Sequence, residues 1–140
     1  MAITQAVTQQ LKQDLWNGVH QPADVYKIAL YTSTATLDKT TTAYTATNEV
    51  ANGLGYTTLG VTLVGFTVSL STDTAVLDWT TDPSWAAATF TARGAMIYNS
   101  TRANKALAIW DFGADKVGGG GAFTLVFPTP DASLGLLRLL

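Results

Sequence analysis

Cysteine is missing from this chain altogether, and histidine occurs once, as His20. The first absence excludes a disulfide framework or a thiolate metal centre and fits maturation in a reducing cytosol. The second leaves any Ser–His–acid mechanism to be built around one imidazole. That imidazole lies in His20-Gln21-Pro22, where a turn or strand-edge role is expected. A zinc site would need several His or Cys ligands, so no metal and no cofactor is expected. Charge is scarce as well: 13% of the residues are Asp, Glu, Lys or Arg, about half the usual share. The eight basic residues are scattered from Lys12 to Arg138, and the net charge is −2. A nucleic-acid partner requires a basic face that displaces counterions, so no direct nucleic-acid binding is expected. No apolar run approaches a membrane span, and residues 1–8 lack the basic start and apolar core of a secretion signal. A membrane partner is therefore not expected either.

What the chain does have is apolar and β-branched material. Hydrophobic residues make up 47% of the 140, enough for one core, and the mean hydropathy is +0.19. Threonine takes the place of the missing charges and favours strands. Ile3, Val7, Leu11 and Leu15 are spaced by four, which predicts a helix over residues 3–16 with Thr4 as N-cap and Asn17-Gly18 as its stop. From Asp24 onward the period is two. Strands are predicted at 25–32, 56–63, 65–71, 75–79, 88–99, 106–112, 122–128 and 134–140, with a bend or bulge at Gly94. The strand at 25–32 is expected to bury one face, and Phe66, Val68 and Leu70 to share one side of the next hairpin. The Thr-rich loop between the first two strands has too few large apolar residues for a core of its own. The expected fold is all-β: one antiparallel β-sandwich domain over 1–140, jelly-roll-like, with a short N-terminal α-helix. Residues 1–18 form the helical segment and 24–140 the sandwich.

Two strings invite a chemical reading. The stretch GADKVGGGG (113–121) has the Gly-x-x-x-x-Gly spacing of a phosphate loop. Such a loop needs Lys-Ser/Thr after the second glycine and a helix beyond it. Here Gly119-Gly120 and a strand follow, so a pliable link between strands is expected. Asp73, Asp78 and Asp82 surround one hairpin and Asp111 with Asp115 flanks the glycines; Asp is a common turn former and no calcium-loop pattern is present, so turn roles are expected, with a calcium site as the lesser alternative. No catalytic residue is assigned. Trp79, Trp85 and Trp110 are expected in core packing; exposed in a row, they would instead stack on sugar rings.

The blocks YKIALYTSTATLDKTTTAYTATNEV and FTARGAMIYNSTRANKALAIWDFGADK resemble a family of small tailed-bacteriophage virion proteins found as head decoration, or cement, proteins. The similarity also takes in NGVH and FTLVFP, and so covers nearly the whole chain. The resemblance implies a non-enzymatic capsid decoration protein on the outer surface of the virion, made in the bacterial host cytoplasm. Its partners would be the major capsid protein and further copies of itself, a dimer first and a trimer second. Three contact regions are expected. The first is the helix, through Ile3, Val7, Leu11, Leu15 and Trp16. The second is the loop 33–55, through Asp38, Lys39, Tyr44, Asn48 and Glu49. The third is the terminal strand, where Arg138 among leucines would need an acidic partner. The alternative is a tail- or fibre-associated module that binds host glycans.

Overall fold

The computed structural model describes residues 2–131 and 133–139. The chain forms β1 (Ala6–Val7), α1 (Gln9–Trp16), β2 (Tyr26–Tyr31), β3 (Val61–Thr62), β4 (Val64–Ser71), β5 (Thr74–Thr81), β6 (Ser84–Trp85), β7 (Thr91–Asn99), β8 (Lys105–Val117), β9 (Phe123–Thr124) and β10 (Leu137–Leu139). All strand pairs are antiparallel. They make a five-stranded sheet in the order β1-β8-β7-β2-β3, a three-stranded sheet β10-β5-β4, and the small pair β6-β9. The fold is all-β with one short helix, as the period of two implies. This five-three-two partition does not by itself establish jelly-roll connectivity.

The main core lies where the two larger sheets face each other. Tyr26, Ile28 and Leu30 from β2 meet Trp79 of β5 and Leu137 of β10, and Tyr26 stacks on Phe66 with ring centres 5.2 Å apart. The opposite face of the five-stranded sheet is buried too. Ala29, Tyr31, Met96, Tyr98 and Ile109 pack there against Ile3, Ala35 and Leu37. The expectation of one buried face on the first strand is thus corrected: β2 is covered on both sides, as central strands are. The long loop supplies the second cover by lending a few small and medium apolar residues to a sheet surface, without a core of its own.

The N-terminal helix is shorter than its spacing suggests. Residues before Gln9 are extended: Ile3 bridges Leu37, and Ala6 and Val7 pair with Ile109 and Ala108. A spacing of four is a multiple of two, so the row Ile3, Val7, Leu11 fits a strand entering a helix as well as a helix throughout. The backbone of residues 4–8 gains cross-strand partners this way, and the cap moves from Thr4 to Thr8. The Thr8 hydroxyl accepts from the Leu11 amide at 3.0 Å and donates to the Ala106 carbonyl at 2.8 Å.

Several strands also come out shorter. Of residues 56–63 only 61–62 pair with β2, and Tyr56 bridges Gly53 instead, because Leu59 and Gly60 take left-handed backbone angles (φ 80° and 72°). Of residues 122–128 only 123–124 pair. The last strand covers 137–139, and Leu140 lies outside the described residues. The irregularity expected at Gly94 is present: Ala92 faces Lys116 while Gly94 faces Asp111, so β8 carries extra residues around Gly113. The glycine string is therefore not a free link. Residues 113–117 belong to β8, Gly118 donates to the Phe90 carbonyl at 2.9 Å, and Gly120 and Gly121 bond the backbone of Ala88. A side chain on Gly118 would run into the Ala88 carbonyl, so close approach is one reason glycine stands there.

Candidate interaction surface

The sequence-predicted contact residues divide into those the fold consumes and those it leaves outside. Ile3 and Leu11 are buried and Val7 is half-buried. At the end of α1, by contrast, Leu15 is 45% and Trp16 94% exposed. In the loop, Asp38 turns the chain by accepting from the Thr40 amide and hydroxyl at 2.7 and 2.6 Å, bonds that hold its carboxyl below the usual range. Lys39 is exposed, and its carbonyl accepts from the Gln9 amide at 2.8 Å, tying the loop to α1. Asn48 is left-handed (φ 60°), and its amide reaches the Thr34 carbonyl at 3.2 Å. Arg138 is exposed and donates to the Ser133 carbonyl at 2.8 Å.

Tyr44 and Glu49, expected as partner contacts, form an internal clamp. The Glu49 carboxylate accepts from the Tyr44 and Tyr56 hydroxyls, each at 2.6 Å, and from the Leu59 amide at 2.8 Å. The Leu59 carbonyl in turn accepts from Tyr98 at 2.7 Å. Burial first, then the bond to Glu49, pushes the Tyr44 and Tyr56 hydroxyls well above the ordinary phenol range, so both remain donors. Spacing could not reveal this, because Tyr98 enters from a strand far along the chain.

The single histidine belongs to a second polar network, between α1 and the end of β7. The Asn99 side-chain oxygen accepts from the Thr101 and Arg102 amides, so its NH2 group donates, to His20 Nδ1 and to Asp24, both at 2.9 Å. The imidazole proton therefore sits on Nε2, 3.2 Å from Asp14, a contact short of hydrogen-bond geometry. Asp14 also meets Gln10 at 2.9 Å and Lys105 at 3.4 Å. Burial lowers the His20 pKa against the pull of Asp14. With its lone-pair nitrogen already occupied by Asn99, the ring fastens α1 to the β7–β8 turn and has no free nitrogen with which to accept a nucleophile's proton.

Asp24 closes that network by accepting from Arg102 Nε at 2.9 Å. This bond, with those from Asn99 and Gln21, lowers its pKa from 3.8 to about 2. A depressed folded-state value stabilises the fold above the unfolded value, and that contribution disappears as pH falls through about 2. The urea midpoint should therefore drop between pH 4 and pH 2. Asp24→Asn should lower the midpoint already at neutral pH and flatten the decline. An unchanged slope in the variant would remove Asp24 from the network's acid response.

The surface itself is apolar. A groove of about 410 Å³ runs between α1 and the three-stranded sheet, lined by Val7, Leu11 and Leu15 on one side and Val68, Leu77 and Leu139 on the other. Register explains it. Val68 lies opposite Leu77 and Leu70 opposite Ala75 on the face that carries Phe66 and Trp79 into the core. That face is covered at its Trp79 end, but towards the hairpin turn at 72–73 it opens, leaving Val68 61% and Leu70 78% exposed. Alternation identified the apolar side of this strand; whether a second layer reaches it is not encoded in the strand's own residues. Trp79 and Trp85 are buried, and Trp110 stacks on Phe127 with centres 6.2 Å apart. Among the described residues no group of three His, Asp or Glu is placed to hold a metal ion. No protein-family model, curated protein or solved structure matches the chain.

Proposed function

We propose that the protein is a non-enzymatic virion structural protein that binds the outer surface of a capsid and stabilises the shell by bridging capsomers. One observation carries the reading: twelve large apolar side chains stand exposed among the described residues. They sit on different elements. Leu15 and Trp16 end the helix, Val68 and Leu70 lie on β4, Leu54 marks the long loop, and Val126 the C-terminal segment. Where such residues gather, as Leu15, Val68 and Leu139 do around the groove, they mark a surface suited to a partner. A subunit that touches several neighbours at once covers it, and weak contacts made together become strong. The resemblance of two long blocks to phage decoration proteins supports the same reading, with the major capsid protein and further copies of the chain as partners. For the glycan-binding alternative, Trp79 and Trp85 are core residues and offer no platform, whereas Trp16 stands exposed at the end of the helix. Two measurements test the proposal. Cryo-EM of intact particles should place the protein on the shell between capsomers, in hundreds of copies. Particles lacking it should release DNA at a lower temperature in dilute buffer. Density confined to fibres, or equal heat resistance, would defeat the reading.

A further inference from the structure

Among the described residues, strand β4 forms one edge of the three-stranded sheet, with β5 as its one paired neighbour. From Val64 to Ser71 it contains no charge and no proline, the devices with which monomeric proteins blunt an exposed edge. Its register adds a second property. The β4–β5 hairpin has a two-residue loop, closing on the pair Ser71 and Thr74. Such loops close on a hydrogen-bonded pair, and bonding then alternates along the strand. The N–H and C=O groups of Leu70, Val68 and Phe66 consequently face the open edge. Of these residues Val68 lines the groove and Leu70 stands exposed beyond it, while Phe66 packs on Tyr26 and Trp79.

We infer that β4 pairs antiparallel with β4 of a second copy, about a two-fold axis at Val68. This pairing sets Val68 against Val68, and Phe66 of each copy against Leu70 of the other, so that all three outward-facing positions are bonded at once. It joins the two three-stranded sheets into one of six. No charged residue lies between Leu63 and Thr72, so two copies bring no like charges together. The side chains the pairing covers along the strand, Val64, Val68 and Leu70, are 57–78% exposed. The pairing also sets Val64 of one copy beside the hairpin end of the other, the side on which Leu15 and Trp16 stand uncovered. It is independent of the shell role, since it follows from one strand's register and exposure.

A residue on the axis meets itself, which gives a decisive test. Val68 is mostly exposed, so charged replacements leave the core intact. Sedimentation of the purified wild-type chain should show a dimer. Val68→Lys and Val68→Glu should each weaken dimerisation about a hundredfold or more, because like charges face each other. An equimolar mixture of the two should restore a heterodimer. Hydrogen exchange should show the amides of Phe66, Val68 and Leu70 protected in the wild type and released in each single variant. A monomeric or trimeric wild type, single variants that still dimerise, or a mixture that stays monomeric would each overturn the pairing. Loss of shell binding in Val68→Lys with a monomeric wild type would assign the strip to the capsid and equally refute it.

Discussion

Replacing Glu49 by alanine is expected to lower stability by about 3 kcal/mol, because three donors lose one acceptor together. Two are tyrosine hydroxyls at 2.6 Å and the third is the Leu59 amide at 2.8 Å. A hydrogen bond to a charged group contributes about 1.5–3 kcal/mol, and a buried donor left alone loses its hydration as well. The cost is below the sum because Tyr44 can turn towards water, whereas the Tyr56 ring is held by Trp85 and Phe90 at 6.2 and 5.6 Å. Glu49→Gln keeps an acceptor on one side only and should cost about 1 kcal/mol. Urea unfolding followed by the fluorescence of the buried Trp79 and Trp85 measures both variants. Tyr44→Phe should cost less in the Glu49→Ala background than in the wild type, since the two share one bond. A loss below about 1 kcal/mol in Glu49→Ala would mean that water replaces the clamp without penalty.

Gly60→Ala should be at least as damaging, by more than about 3 kcal/mol, through strain and collision in place of lost bonds. Gly60 has φ 72°, and an added Cβ would stand 2.6 Å from the Ile28 carbonyl carbon and 2.8 Å from the Ala29 Cα. Both are backbone atoms of a central strand, which has no room to yield. The turn cannot retreat either, since Glu49 holds the Leu59 amide and Tyr98 the Leu59 carbonyl. The substitution should detach β3 from β2, visible as faster exchange of the Leu63 amide, which bonds the Tyr26 carbonyl at 2.8 Å. By contrast, Gly119 and Gly121 meet nothing within 4 Å of an added Cβ, so alanine there should leave the midpoint nearly unchanged. Equal tolerance at Gly60 would show that the turn moves as a unit.

Local pattern carried the strands that pair along their length and little else. Alternation in residues 65–71 and 75–79 located the hairpin, while its register had to come from the structure, where Ser71 pairs with Thr74 and the loop is one residue shorter than the gap between those segments. The reach of the N-terminal helix was illegible because Ile3, Val7 and Leu11 satisfy two periods at once, and the deciding partner, β8, lies a hundred residues on. The same distance concealed both polar networks. Tyr98 beside Tyr44, and Asn99 beside His20, are neighbours only once β7 lies next to β2. Of the candidate contacts, Leu15 belongs to the helix's apolar face and Trp16 to its end, and both are exposed; Val68 and Leu70, read as one apolar side of a strand, were not among those candidates. Exposure depends on what the rest of the chain leaves uncovered, and no window around a strand contains that. Glu49 was singled out as a polar residue in a functional loop; its three bonds make it a residue of the fold.

The seating of residues 3–8 also bears on how the molecule is made. Their amides and the Thr8 hydroxyl bond to Leu37, Ala106 and Leu107, so this segment leaves the ribosome about a hundred residues before most of its partners exist. During that interval Ile3 and Val7 travel without cover, and until they dock the Ala108–Ile109 stretch of β8 is itself an unpaired edge. The earliest-made part of the described chain is thus among the last to be satisfied. Its closure completes the large sheet, and any delay leaves a newborn chain with two sticky ends that fit each other, or those of a neighbour.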